Sequence, residues 1–89
     1  MELTDGAKEE LKRILDGKNL EPGRFLRLAI PPSWDGEGDF GIVVGPEGHA
    51  DEVVEYGGAK LLLMESVVAE RLKSAVFDFK DSRFTLDVY

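Results

Sequence analysis

From Arg24 to Gly45 the chain reads Arg24-Phe25-Leu26-Arg27-Leu28-Ala29-Ile30, then Pro31-Pro32-Ser33-Trp34-Asp35-Gly36-Glu37-Gly38-Asp39, then Phe40-Gly41-Ile42-Val43-Val44-Gly45. The two outer segments are strand signals. Leu26, Leu28 and Ile30 point one way and Phe25, Arg27 and Ala29 the other, so one face is fully core and the second partly covered. Phe40, Ile42 and Val44 alternate in the same way against Gly41 and Val43. Gly41 marks a bulge or a close approach of another backbone. The crossing between the strands holds the only Trp together with Asp35, Glu37 and Asp39 among glycines. No packed core asks for that mixture, so function is expected there.

Toward the N-terminus, Glu21-Pro22-Gly23 is a turn, and a helix is expected before it. Thr4 or Asp5 caps that helix, Ala7, Leu11, Ile14 and Leu15 form its apolar stripe, and Gly17 ends it in the left-handed conformation. Its exposed face carries Glu9 and Glu10 ahead of Lys12 and Arg13, pairs worth only tenths of a kcal/mol, roughly 0.2–0.5 each. Toward the C-terminus, Gly45 to Ala50 is a loop. Asp51–Tyr56 and Ala59–Met64 are strands joined at Gly57-Gly58, which tolerate the positive angles of a two-residue hairpin. Ser66 caps a short second helix through Ser74, with Val68 or Ala69, Leu72, and Ala75 or Val76 turned inward. A strand through Val76, Phe77 and Phe79 follows, then a turn at Lys80–Arg83 and a last strand with Phe84, Leu86 and Val88 alternating. Helix, four strands, helix, two strands make one α+β domain over residues 1–89, dominated by antiparallel pairing.

Composition narrows the function classes. At 89 residues, 43% apolar and 33% charged, the chain is near the small end of what folds on one core, yet far from the signature of disorder. Its formal charge of -7 repels phosphate backbones and anionic headgroups, and no cluster of Lys and Arg overcomes that locally. Nucleic acid and membrane surfaces are therefore not expected partners. The N-terminus lacks a signal-peptide pattern and the longest unbroken apolar run, Leu61–Met64, is too short to span a bilayer, so a cytoplasmic location is expected. With no Cys, disulfides, thiolate catalysis and all-thiolate metal sites are excluded.

Several phrases, in order, resemble the HesB-like family of A-type iron-sulfur carriers. They are Leu3-Thr4-Asp5-Gly6-Ala7, Leu26-Arg27-Leu28-Ala29, Gly58-Ala59-Lys60-Leu61, the cap at Ser66, and Phe84-Thr85-Leu86-Asp87. The resemblance covers nearly the whole chain. It implies a twisted antiparallel β-sandwich with two short helices, and dimers or tetramers. Members of that family bind a cluster or iron through three Cys, one in a Gly-Cys-Ser-Gly type loop after the first strand and two in a Cys-Gly-Cys tail. Here the first position falls in Trp34–Asp39, and Asp87-Val88-Tyr89 carries no such tail. The resemblance thus implies the scaffold, while the missing soft donors argue against cluster carriage by that route.

The acids and the indole of the crossing each admit two readings. Asp35, Glu37 and Asp39 alternate like the first donors of a calcium loop, but Phe40 stands where the sharp turn needs Gly and Pro46 where the bidentate Glu belongs. They form either a solvated acidic turn or, with His49, the only His, an oxygen-rich site for iron or another divalent ion. Trp34 either folds back to cap the core or stands out as a contact anchor, which Asp35, Glu37 and Tyr89 would join. No nucleophile turn, phosphate loop or dinucleotide fingerprint is present, and the acid pairs Glu9/Glu10 and Asp51/Glu52 read as exposed. The chain is expected to be no enzyme and to need no cofactor. It is expected to act as an interaction or assembly module linked to iron-sulfur assembly, with an oxygen-liganded binder of iron or calcium and a homo-oligomeric structural protein as the alternatives, and its expected partners are itself, as a homodimer or larger oligomer, and another protein.

Overall fold

A computed structural model describes residues 1–89. In chain order its elements are β1 (Glu2–Leu3), α1 (Asp5–Lys18), β2 (Arg24–Ala29), β3 (Gly41–Pro46), β4 (Glu52–Tyr56), β5 (Ala59–Met64), α2 (Ser66–Arg71), β6 (Ala75–Lys80) and β7 (Arg83–Val88).

Thr4 is the cap of α1, and its Oγ1 accepts from the Ala7 amide at 3.2 Å. The same hydroxyl donates to Asp78 Oδ1 at 2.6 Å, so the cap also ties the helix to β6. Ala7 and Leu11 are fully buried, with Ile14 and Leu15 packed at the margin. The helix does not end at Gly17. It runs to Lys18, and Asn19 takes the left-handed turn at φ 53°, a conformation Asn tolerates better than most side chains. The longer helix delivers Leu20 to the core.

The strands form two sheets, and neither is purely antiparallel. The first has the order β3-β2-β5-β4 and the second β1-β6-β7. Antiparallel hairpins join β2 to β3, β4 to β5 and β6 to β7, but β2 runs parallel to β5 and β1 parallel to β6. Antiparallel pairing dominates as expected, in three hairpins, but the sandwich is not antiparallel throughout, because β3 and β4 are consecutive yet occupy opposite edges. The chain crosses the sheet between them and returns as β5 alongside β2. β1 went unseen because two residues carry no periodicity.

Leu26, Leu28, Leu61, Leu62, Met64, Val68, Leu72, Ala75 and Phe77 fill the interior between the sheets and helices. Alternation alone would not place both Leu61 and Leu62 there. The β4–β5 register slips between Val54 and Glu55, whose partners are Leu62 and Lys60, and such a bulge lets neighbouring residues share a face. Leu63, paired with Arg27 and Val53, is buried on the opposite face. Phe77 stacks on Phe84 at 5.0 Å and meets Phe40 edge-on at 5.7 Å.

The hairpin at Gly57-Gly58 has the expected two-residue form, both φ positive at 61° and 81°. The second helix is shorter than expected, ending at Arg71. Glu65, not Ser66, occupies its cap position without a side-chain bond, and Ser66 is its first helical residue. No helix is long and apolar enough to cross a membrane.

Candidate functional site

The crossing Pro31–Phe40 is held by its own residues. The Pro31–Pro32 bond is cis, and the Trp34 amide donates to Ile30 O at 3.0 Å, closing a tight turn off β2. The indole then folds back, Nε1 donating to Glu37 O at 3.2 Å. Its ring lies against Gly36 and Gly41, where a Cβ would stand under 3.0 Å from ring carbons. Gly41 is therefore a close approach, but of the Trp34 side chain rather than of a backbone. The β2–β3 register runs unbroken through it, so there is no bulge. Trp34 is half-buried, capping the start of β3, and is not a free anchor.

Asp35, Glu37 and Asp39 are all exposed on that crossing. His49 lies on the loop after β3. No group of three or more His, Asp or Glu side chains stands close enough to hold one ion. The four candidate ligands are thus not brought together as a metal centre. Tyr89 follows β7 in the other sheet, 81% exposed, its amide donating to Ser74 O at 3.4 Å.

The polar cluster that the fold does build involves residues the sequence pattern passed over. Glu47–Asp51 carries the chain from one edge of the four-stranded sheet to the other, and Arg27 of β2 pins it. Arg27 donates to both Asp51 oxygens, at 2.5 and 3.1 Å, and to Pro46 O at 3.0 Å. The Gly48 amide donates to Asp51 Oδ2 at 2.5 Å. The Asp51 side chain is 3% exposed and that of Arg27 15%, which corrects the reading of Asp51 as a surface acid. Two glycines make room for the pair. A Cβ on Gly45 would press on Arg27 Cδ at 3.2 Å, and one on Gly48 on the Asp51 carboxylate at 3.0 Å. The Arg27 hydrogen bonds, helped by the Gly48 amide, hold the Asp51 carboxyl below the usual carboxylate range, and the pairing raises Arg27 in turn. One signal in the sequence pointed here. A lone Arg between two buried leucines on a central strand needs a partner.

Beside this pair opens a cleft of about 470 Å³ lined by Arg27, His49, Asp51, Glu65, Ser66 and Val67 among others. Ser, His and Asp share its wall, but no hydrogen bond links them, and the Asp51 carboxylate is already held by Arg27 and Gly48. The arrangement has the form of a structural clamp; it assembles no nucleophile–base pair. No protein-family model matches this chain, and no curated protein matches it.

Proposed function

We propose that the chain is a non-catalytic domain on a HesB-like scaffold, serving as an interaction module that holds an extended segment of a protein partner along β3. The ordered sequence phrases support the scaffold, and the succession of elements is compatible with it. One observation carries the function. β3 is an edge strand paired with β2 alone, has no charged residue from Gly41 to Pro46, and leaves Val43 and Val44 37% and 42% exposed. An uncharged, exposed edge is a template for an added strand.

The flanks define the partner's chemistry. Asp35, Glu37 and Asp39 stand exposed just before β3, and none belongs to an ion pair. The complementary segment is β-branched, to pair with the strand, and carries Lys or Arg toward that acidic loop. In iron-sulfur assembly such a module acts through contact with a carrier, because the chain has no Cys to ligate a cluster.

Selection from a displayed random-peptide library tests this. The wild type should enrich β-branched peptides bearing basic residues, their binding should shift Trp34 emission, and Val44→Lys should abolish it, since a charge on the edge blocks strand addition. Failure to enrich any peptide, or equal enrichment on Val44→Lys, would overturn the proposal.

A further inference from the structure

The chain contains three Asp-Gly steps, Asp5-Gly6, Asp16-Gly17 and Asp35-Gly36. Such a step carries a chemistry of its own. A residue without Cβ leaves its amide nitrogen open to approach, and the Cγ of the preceding Asp is placed to close a five-membered ring on it. The fold treats the three steps differently. The first two lie in α1, where ψ is about −42° and the Gly nitrogen is turned away from the preceding Cγ. Gly17 also has its amide committed to the carbonyl four residues back, and Asp16 is paired with Lys12 Nζ at 2.9 Å. Gly6 packs against β6, a Cβ there falling 3.2 Å from Phe79 O, so its backbone has little room to turn.

Asp35-Gly36 has none of these restraints. It lies between β2 and β3, outside every helix and strand, with both residues exposed. The Gly36 amide makes no backbone hydrogen bond, and the Asp35 carboxylate belongs to no ion pair. The other aspartates are held or blocked. Asp51 is bonded by Arg27 and Asp78 by Thr4. Asp39, Asp81 and Asp87 precede Phe40, Ser82 and Val88, whose side chains crowd the attacking nitrogen.

We propose that Asp35 is a site of spontaneous isomerisation to isoaspartate. The Gly36 nitrogen gives up its proton and attacks Cγ of Asp35, the C–N bond forms, and one carboxyl oxygen leaves as water, closing a cyclic imide. Water then adds to either imide carbonyl. Opening at Cγ restores aspartate, whereas opening at the main-chain carbonyl leaves Gly36 joined through the side-chain carboxyl. The sum is a rearrangement without change of mass, and water is its only co-reactant. It inserts a methylene into the main chain between Trp34 and Glu37, the residues that the indole bond spans at 3.2 Å. That bond cannot keep its geometry across a longer chain, so the ring loosens from Gly36 and Gly41.

The full chain aged in warm neutral buffer should accumulate isoaspartate at position 35, read by peptide mapping with electron-transfer fragmentation. The rate there should exceed that at positions 5 and 16 at least about tenfold, because the helical steps react only after local opening. In guanidinium chloride the three steps should react alike, which would assign the difference to the fold. Trp34 emission should shift to the red in step with the product. Asp35→Glu, whose longer side chain does not close the five-membered ring, should keep its emission through the same ageing. The proposal fails if the folded chain reacts equally at the three steps, or if Asp35 reacts only in denaturant. Val44→Lys should age as the wild type does, which separates this chemistry from partner binding at β3.

Discussion

Two loops leave β3, and they are fixed in opposite ways. Pro31–Phe40, before the strand, is held by neighbours in sequence: Trp34 bonds to Ile30 and Glu37 and rests on Gly36 and Gly41. Glu47–Asp51, after it, is held from a distance by Arg27, 24 residues from Asp51. Both are acidic and contain glycine. That composition shows where the chain must turn, but the anchor is a matter of which side chain the sheet brings underneath. The conspicuous loop proves locally self-contained, and the plain one is tied to the sheet.

The largest test of this contrast is Asp51→Ala. It leaves Arg27 and the Gly48 amide without their acceptor, a loss of about 3 kcal/mol, which for so small a domain lowers Tm by about 12 °C or more. Denaturant titrations would measure it, and a loss under about 0.5 kcal/mol would mean the loop is held by something else. The effect depends on pH in a stated direction. Because the folded Asp51 carboxyl lies below its ordinary range, its stabilisation is fully present above the unfolded value, about 3.9. It is lost as pH falls through the lower folded value. The gap between wild type and Asp51→Ala should therefore be constant near neutrality and narrow in acid.

Gly41→Ala comes next. Its new Cβ falls on the Trp34 ring, so the indole must leave its seat, at a cost of about 1–3 kcal/mol and with a red shift of the single Trp emission. In a Trp34→Ala background the same change should cost less, because the clash is gone. Equal costs in both backgrounds would show that the ring does not depend on Gly41. The smallest effects belong to the exposed loop positions. Glu37→Gln and His49→Ala should each stay within about 0.5 kcal/mol, and a His49→Ala loss rivalling that of Asp51→Ala would move the anchor to the loop tip.

Much of the fold was legible because its signals are local. The Thr4 cap, the alternation of Leu26 and Leu28, the Gly57-Gly58 turn and the apolar stripe of α1 each lie within a few residues of what they specify. Misses came where the deciding contact was remote or the signal too short. Asn19 displaced Gly17 as the helix end because Leu20 had a place in the core. β1 is defined only by Val76 and Phe77 beside it. At the candidate site, the exposure of Asp35, Glu37 and Asp39 could be read from their setting, whereas the burial of Asp51 could not.

The amino-acid sequence by itself determined an acidic, cysteine-free α+β chain, the location of both helices and of every strand but β1, and the absence of thiolate chemistry, since these follow from composition and short-range periodicity. Tertiary structure alone decided that β2 and β5 run parallel, that β3 and β7 become open edges, and that Arg27 meets Asp51. Each of these depends on which distant segments come to lie side by side, and a long-range pairing leaves no period in the chain that makes it.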